Sequence, residues 1–213
     1  MTIKSITSWI YSLTYLLYVV LIPYLHVTYP QYSILVVLMG ALINGLDFLI
    51  SDSPQKNLTV LNKNGYSNNL VIFYMTLNLL IAHSSWIHIG HVILKDVNIK
   101  YYFDLSMLLK IIITMILGDI YFYFAHKALH VSQYLSKLHL LHHCCFYPSL
   151  STGLMFNPID LMLEFTGPNL MLMAAYHIFN QDAAFLLICG SIIIIWYSAA
   201  HDENIKLHHY DHH

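Results

Sequence analysis

Five histidines fall within residues 126–143, in two groups, HKALH at 126–130 and HLLHH at 139–143. On a helix, residues three or four apart share a face, so His126 and His130 point one way. His139, His142 and His143 fall within another narrow arc. Two helical turns can therefore present several imidazoles to one point, which is the ligand type and spacing of a metal site. A third group, HHYDHH at 208–213, repeats the HxxHH spacing through His209, His212 and His213, with His208 beside it. One histidine on an apolar helix is usually a packed residue; five at facing spacings are poorly explained by packing. Asp119 and Tyr123 extend the His126/His130 stripe toward the N-terminus, and a carboxylate behind a ligand histidine fixes its tautomer and orientation. Cys144 and Cys145 follow the second group directly, but imidazoles far outnumber thiols, so a soft-metal site is the lesser expectation. Three cysteines make no disulfide framework.

The segments that must position these groups are apolar. At 213 residues the chain has the length of one domain, with 58% hydrophobic and only 9% charged residues. That balance excludes an ordinary soluble domain. A net charge of −2 without a basic patch argues against nucleic acid as a partner. Residues 7–27 are long enough to cross a bilayer, and with no small-residue cleavage site they are expected to be a retained span. Residues 33–50 predict a shorter second span carrying Asn44 and Asp47. Residues 51–69 predict an exposed, turn-rich polar loop. A third span is expected at about 70–92, and a fourth at about 105–124, running directly into the first histidine group. Asp119, costly in lipid, is expected to face protein or metal.

Beyond His143, Pro148 and Pro158 predict a non-helical crossing, and apolar runs at 161–178 and 183–200 predict a hairpin of helices. That hairpin returns the third histidine group to the side of the first two. Lys4, Lys56, Lys63, Lys127, Lys137 and Lys206 fall on the histidine side and Lys95 and Lys100 on the other, which predicts that the histidines face the cytosol. The expected fold is an all-α integral membrane protein, a bundle of about 4–6 transmembrane helices with a cytosolic-side metal site. His83, His88 and His91 lack the HxxHH pattern and are expected to be structural or interfacial, and His177 lies near the hairpin turn.

Residues 105–213 resemble the fatty acid hydroxylase and sterol desaturase superfamily. The resemblance rests on an ordered series: Asp119 in a membrane helix, His126 and His130, a short spacer, then His139, His142 and His143. YPSLSTGLMFNPID follows, with Pro148, Asn157, Pro158 and Asp160, then His201 in SAAHDEN and the closing HYDHH. Many members carry histidine where Asn157 stands, and members usually continue past the last group, so a sequence that stops on His213 is expected to be a truncated or an incomplete copy. The resemblance implies an N-terminal transmembrane region over 1–104 and a hydroxylase-like domain over 105–213. It also implies two iron ions held by His126, His130, His139, His142, His143, His201, His209, His212 and His213, with Asp119 as a catalytic-site carboxylate. Zinc is the expected substitute in purified protein.

The implied reaction is hydroxylation of a C–H bond in a lipid (a fatty acyl chain, sphingoid base or sterol) with dioxygen and two electrons. Cytochrome b5 or a similar reductase would supply the electrons, and the endoplasmic reticulum is the implied location in a eukaryote. Desaturation on the same site is an alternative. From other classes, a histidine-rich metal transporter and an inactive homologue are alternatives; a transporter would place its ligands at mid-span.

Overall fold

The computed structural model describes residues 13, 17, 18, 21–88, 104–147, 149, 151–179 and 183–200. Among the described residues, a helical stretch at 21–28 and a 3-10 turn, Pro30–Tyr32, lead into seven helices. These are α1 Ser33–Ile50, α2 Asp52–Lys63, α3 Asn68–His88, α4 Leu105–Val131, α5 Leu135–His143, α6 Pro158–Ile178 and α7 Ala183–Ala200. Among the described residues there is no strand. Helices α1 (with its leading turn, Pro30–Ile50), α3 and α4 are long and apolar enough to cross a membrane.

Helix α1 shows why this reads as a membrane protein. Its buried positions are Ser33, Val36, Gly40, Asn44 and Asp47, one face of small and polar residues. Ile34, Leu35, Leu38, Leu42, Leu49 and Ile50 are exposed. A soluble helix has the opposite arrangement.

Residues 51–69 correct the expectation of an exposed loop. Ser51 caps α2 by accepting from Ser53 N, and Asn57, Leu58 and Leu61 are buried. The helix stops where Gly65 takes a positive φ of 88°, Gly65 N donates to Asn62 O and Tyr66 N donates to Leu61 O. This is a Schellman stop, which glycine permits because it has no Cβ. The polar composition reflects an amphipathic helix rather than a loop.

Helix α4 carries the first histidine group on its last turns and is capped by Asp104, whose side chain accepts from Met107 N at 2.7 Å. It runs antiparallel to α6. Gly118 lies against Pro168, and a Cβ at Gly167 would overlap the ring of Tyr121, so the two helices approach closely at this crossing. The same closeness recurs where Gly190 of α7 meets the ring of Trp86. Trp86, Met107, Ile111, Leu172 and Phe185 form one core, and Leu58, Leu61, Val71, Met75, Leu141 and Met155 form a second beneath α5. The expected hairpin is present as α6 and α7, and the crossing before it contains a 3-10 turn at Ser151–Leu154.

Candidate metal centre

His126 and His130 stand one turn apart near the end of α4, as their spacing requires. Ser132 ends α4, the chain reverses, and α5 brings His139 and His143 back over the same point. The ligand atoms of His126, His130, His139 and His143 all lie within 4.8 Å of one another, a group that could hold a metal ion. Four ring centroids lie 4.5–5.0 Å apart in the pairs His139–His143, His126–His130, His126–His139, His130–His143 and His130–His139.

The nitrogen geometry is more telling than the clustering. His126 Nε2 and His130 Nε2 are 3.1 Å apart, and His130 Nε2 and His143 Nε2 are 3.3 Å apart. Four ligands placed tetrahedrally at about 2.0–2.1 Å from one ion stand about 3.3 Å from each other. On the far side of the rings, His126 Nδ1 meets Glu164 Oε1 at 2.5 Å and His139 Nδ1 meets Asp160 Oδ2 at 2.9 Å. With both acids ionised, as a cation at the site would keep them, each accepts from Nδ1 and each Nε2 turns a lone pair inward. His139 Nε2 is buried with no hydrogen-bond partner among the described residues. Asp160 and Glu164 are themselves buried, one helical turn apart, a placement that is costly without nearby positive charge. A cation held by the imidazoles would supply that charge. The donor set therefore fits a bound metal ion. A second group, His139, Asp160 and Glu164, adjoins the first on the Nδ1 side of the rings.

His142 lies outside the four-histidine group. It is buried, its ring stacks on Phe156 at 4.1 Å, and its centroid is 5.3 Å from that of His139. Asp119, expected to face protein or metal behind the first pair, is instead exposed. Helix α6 covers the Gly118 side of α4, about 100° around the helix from Asp119. The antiparallel crossing then delivers Glu164 and Asp160 level with the histidines. Asn157 serves as the cap of α6, accepting from Ile159 N at 3.0 Å. His201, His208, His209, His212 and His213 lie outside the described residues, as does His91.

Glu164 was not singled out by sequence reasoning, and Asp160 was noted only as part of a resemblance. Their signal was available: two acids at i, i+4 immediately after a helix-starting Asn-Pro, matching the period of the histidines they support. Cys144 and Cys145 are buried, and burial pushes both thiols up from their ordinary range, which disfavours the thiolate that a soft metal needs. His83, expected to be structural, hydrogen-bonds His26 at 2.9 Å and Tyr18 at 3.2 Å, away from the centre. His88 and His177 are exposed.

Searches for similar proteins return no matching protein-family model, no matching curated protein and no matching solved structure.

Proposed function

We propose that this protein is a membrane oxygenase of the fatty acid hydroxylase and sterol desaturase type, holding two iron ions and hydroxylating a C–H bond of a lipid. The observation that carries the reading is the convergence of four imidazoles, two of them (His126 and His139) braced at Nδ1 by buried carboxylates, beside helices with apolar outer faces. His126, His130, His139 and His143 would hold one ion. His142, with His201, His209, His212 and His213, would complete the ligands of a second.

Bound iron supplies oxidation of an unactivated C–H bond by dioxygen and two electrons. The chain's own residues prepare the place. Asp160 and Glu164 hold His139 and His126 in the tautomer that directs Nε2 inward. Buried Phe156 stacks on the buried ring of His142, and His139 is buried beside it, whereas His130 is exposed. The apolar faces of α1, α3 and α4 suit a substrate that arrives from the bilayer. In the proposed topology about 4–6 helices cross the membrane. Lys127 and Lys137, beside the two histidine groups, support a cytosolic face for the site. A cytochrome b5-like donor would approach that face, on the endoplasmic reticulum in a eukaryotic cell.

The test uses the full chain in membranes, an electron-donor system, a cell lipid extract and heavy-isotope dioxygen. One oxygen atom from the gas is expected in a hydroxylated lipid, and His139→Ala should abolish the mass shift. A new double bond without label would redirect the reading to desaturation. Unlabelled hydroxyl, or no product from any lipid class, would overturn it.

A further inference from the structure

Between the second histidine group and the supporting carboxylates lies the 3-10 turn Ser151–Leu154, and the described backbone around it is held from three sides. Asp47 of α1 accepts from Ser149 Oγ at 2.9 Å and from Ser151 N at 2.7 Å. Asn57 of α2 donates to Tyr147 O at 2.7 Å and accepts from Tyr147 N at 3.0 Å, pairing both backbone groups of one residue. Asn78 of α3 donates to Leu154 O and to Phe156 O, both at 2.9 Å. All three side chains are buried. Burying polar groups is unfavourable unless they are hydrogen-bonded, and here the partners are 76 to 104 residues away in the chain.

What this segment joins gives the contacts their meaning. It begins four residues after His143 and ends just before Pro158, where α6 starts toward Asp160 and Glu164. Phe156, whose carbonyl Asn78 holds, stacks on His142. The distance between α5 and the start of α6 sets whether Asp160 reaches His139 Nδ1. Histidine spacing alone cannot set that distance, because the two carboxylates arrive on a different helix.

We propose that Asp47, Asn57 and Asn78 are positioning residues for the metal centre: by clamping residues 147–156 they hold the carboxylates of α6 against the histidines of α4 and α5. The N-terminal helices are then a template for the site as well as a membrane anchor. The inference rests on the four-histidine group binding a metal, though not on which metal or which reaction.

Cobalt(II) tests it, since its visible absorption reports the geometry of its ligands and its titration reports affinity. The full chain is purified in detergent, stripped with a chelator and titrated with cobalt(II). Asp47→Leu and Asn57→Asp should weaken cobalt binding by about 10–100-fold, the loss expected when groups behind metal-bound histidines are disturbed, and should alter the visible spectrum. Asp47→Asn keeps an accepting oxygen and should restore both. Asn44→Leu, which removes a buried hydrogen bond to Gly40 O on the same helix, should leave cobalt binding unchanged. Circular dichroism checks that helical content is kept; should Asp47→Leu lose it, Asn57→Asp, which alters one donor, carries the test. If wild type binds cobalt and the variants bind it equally well with the same spectrum, the clamp is refuted. If Asn44→Leu weakens binding as much as the others, the effect is general packing and the clamp is also refuted. Wild type that binds no cobalt would instead defeat the metal reading on which the clamp rests.

Discussion

Two groups of histidines are gathered among the described residues, and they solve opposite problems. In the first, His26 Nδ1 meets Ser33 Oγ at 2.9 Å, His26 Nε2 meets His83 Nδ1 at 2.9 Å, and His83 Nε2 meets Tyr18 OH at 3.2 Å. Tyr18 OH donates to Val36 O at 2.8 Å, so its oxygen is left to accept. The direction then follows along the whole chain: His83 donates through Nε2, His26 donates through Nε2, and Ser33 donates to His26 Nδ1. One set of neutral tautomers satisfies every ring nitrogen, which is how a buried polar network becomes structural. In the second group, Glu164 and Asp160 accept from Nδ1 of His126 and His139, and the Nε2 atoms of His126, His130 and His143 face one another. Buried histidine is therefore not in itself a sign of metal. What distinguishes the groups is whether a carboxylate directs the second nitrogen toward its neighbours.

The sharpest way to break this contrast is to delete one ring from each group. His139→Ala should lose the metal of the four-histidine group by elemental analysis, whereas His83→Ala should keep the wild-type content. Equal losses would erase the distinction. His142→Ala separates one ion from two: in a two-ion centre it should remove about one equivalent and leave the four-histidine group loaded. Full retention would place His142 outside the ligand set and assign it to packing on Phe156.

Smaller effects follow from the carboxylates. Asp160→Asn and Glu164→Gln should each weaken metal binding by about 10–100-fold in competition with a chromophoric chelator, because they weaken the hold on Nδ1 without removing a ligand. Unchanged affinity in both would mean that the carboxylates do not brace the site. The least effect on metal, and an effect on stability instead, is expected for His83→Ala. It strands the donor of His26 and removes one partner of Tyr18, at about 1–3 kcal/mol for the unsatisfied buried donor, read as a lower unfolding temperature in detergent. Stripping metal should lower the unfolding temperature of wild type and of His83→Ala alike, and that of His139→Ala by less.

Much of this was legible in the chain. The span at 105–124 and the histidines that follow it form one continuous helix, α4, because apolar length and i, i+4 spacing are local properties. The same holds for α6 and α7. The segment at 51–69 was misleading because asparagine and glycine signal turns, while Ser51, Asn57, Leu58 and Leu61 form a capped helix whose buried asparagine has a partner ninety residues away. Asp119 was misleading for a related reason: it does lie on the histidine stripe, but α6 packs on a different side of α4.

The amino-acid sequence by itself determined which residues could face one another within a helix, since 3.6 residues per turn makes His126 and His130, or His139 and His143, neighbours wherever the helix goes. It also determined that α1 must turn leucines and isoleucines outward, because its small and polar residues share one face. Only the tertiary structure decided which carboxylates serve the histidines and which histidines are merely structural. Those choices depend on the register of α6 against α4, set where Gly118 meets Pro168 and Gly167 meets Tyr121, and on Tyr18 and His26 reaching His83 across 65 and 57 residues. Helical periodicity carries information over a few turns; the meeting of distant helices is set by how closely their surfaces can pack.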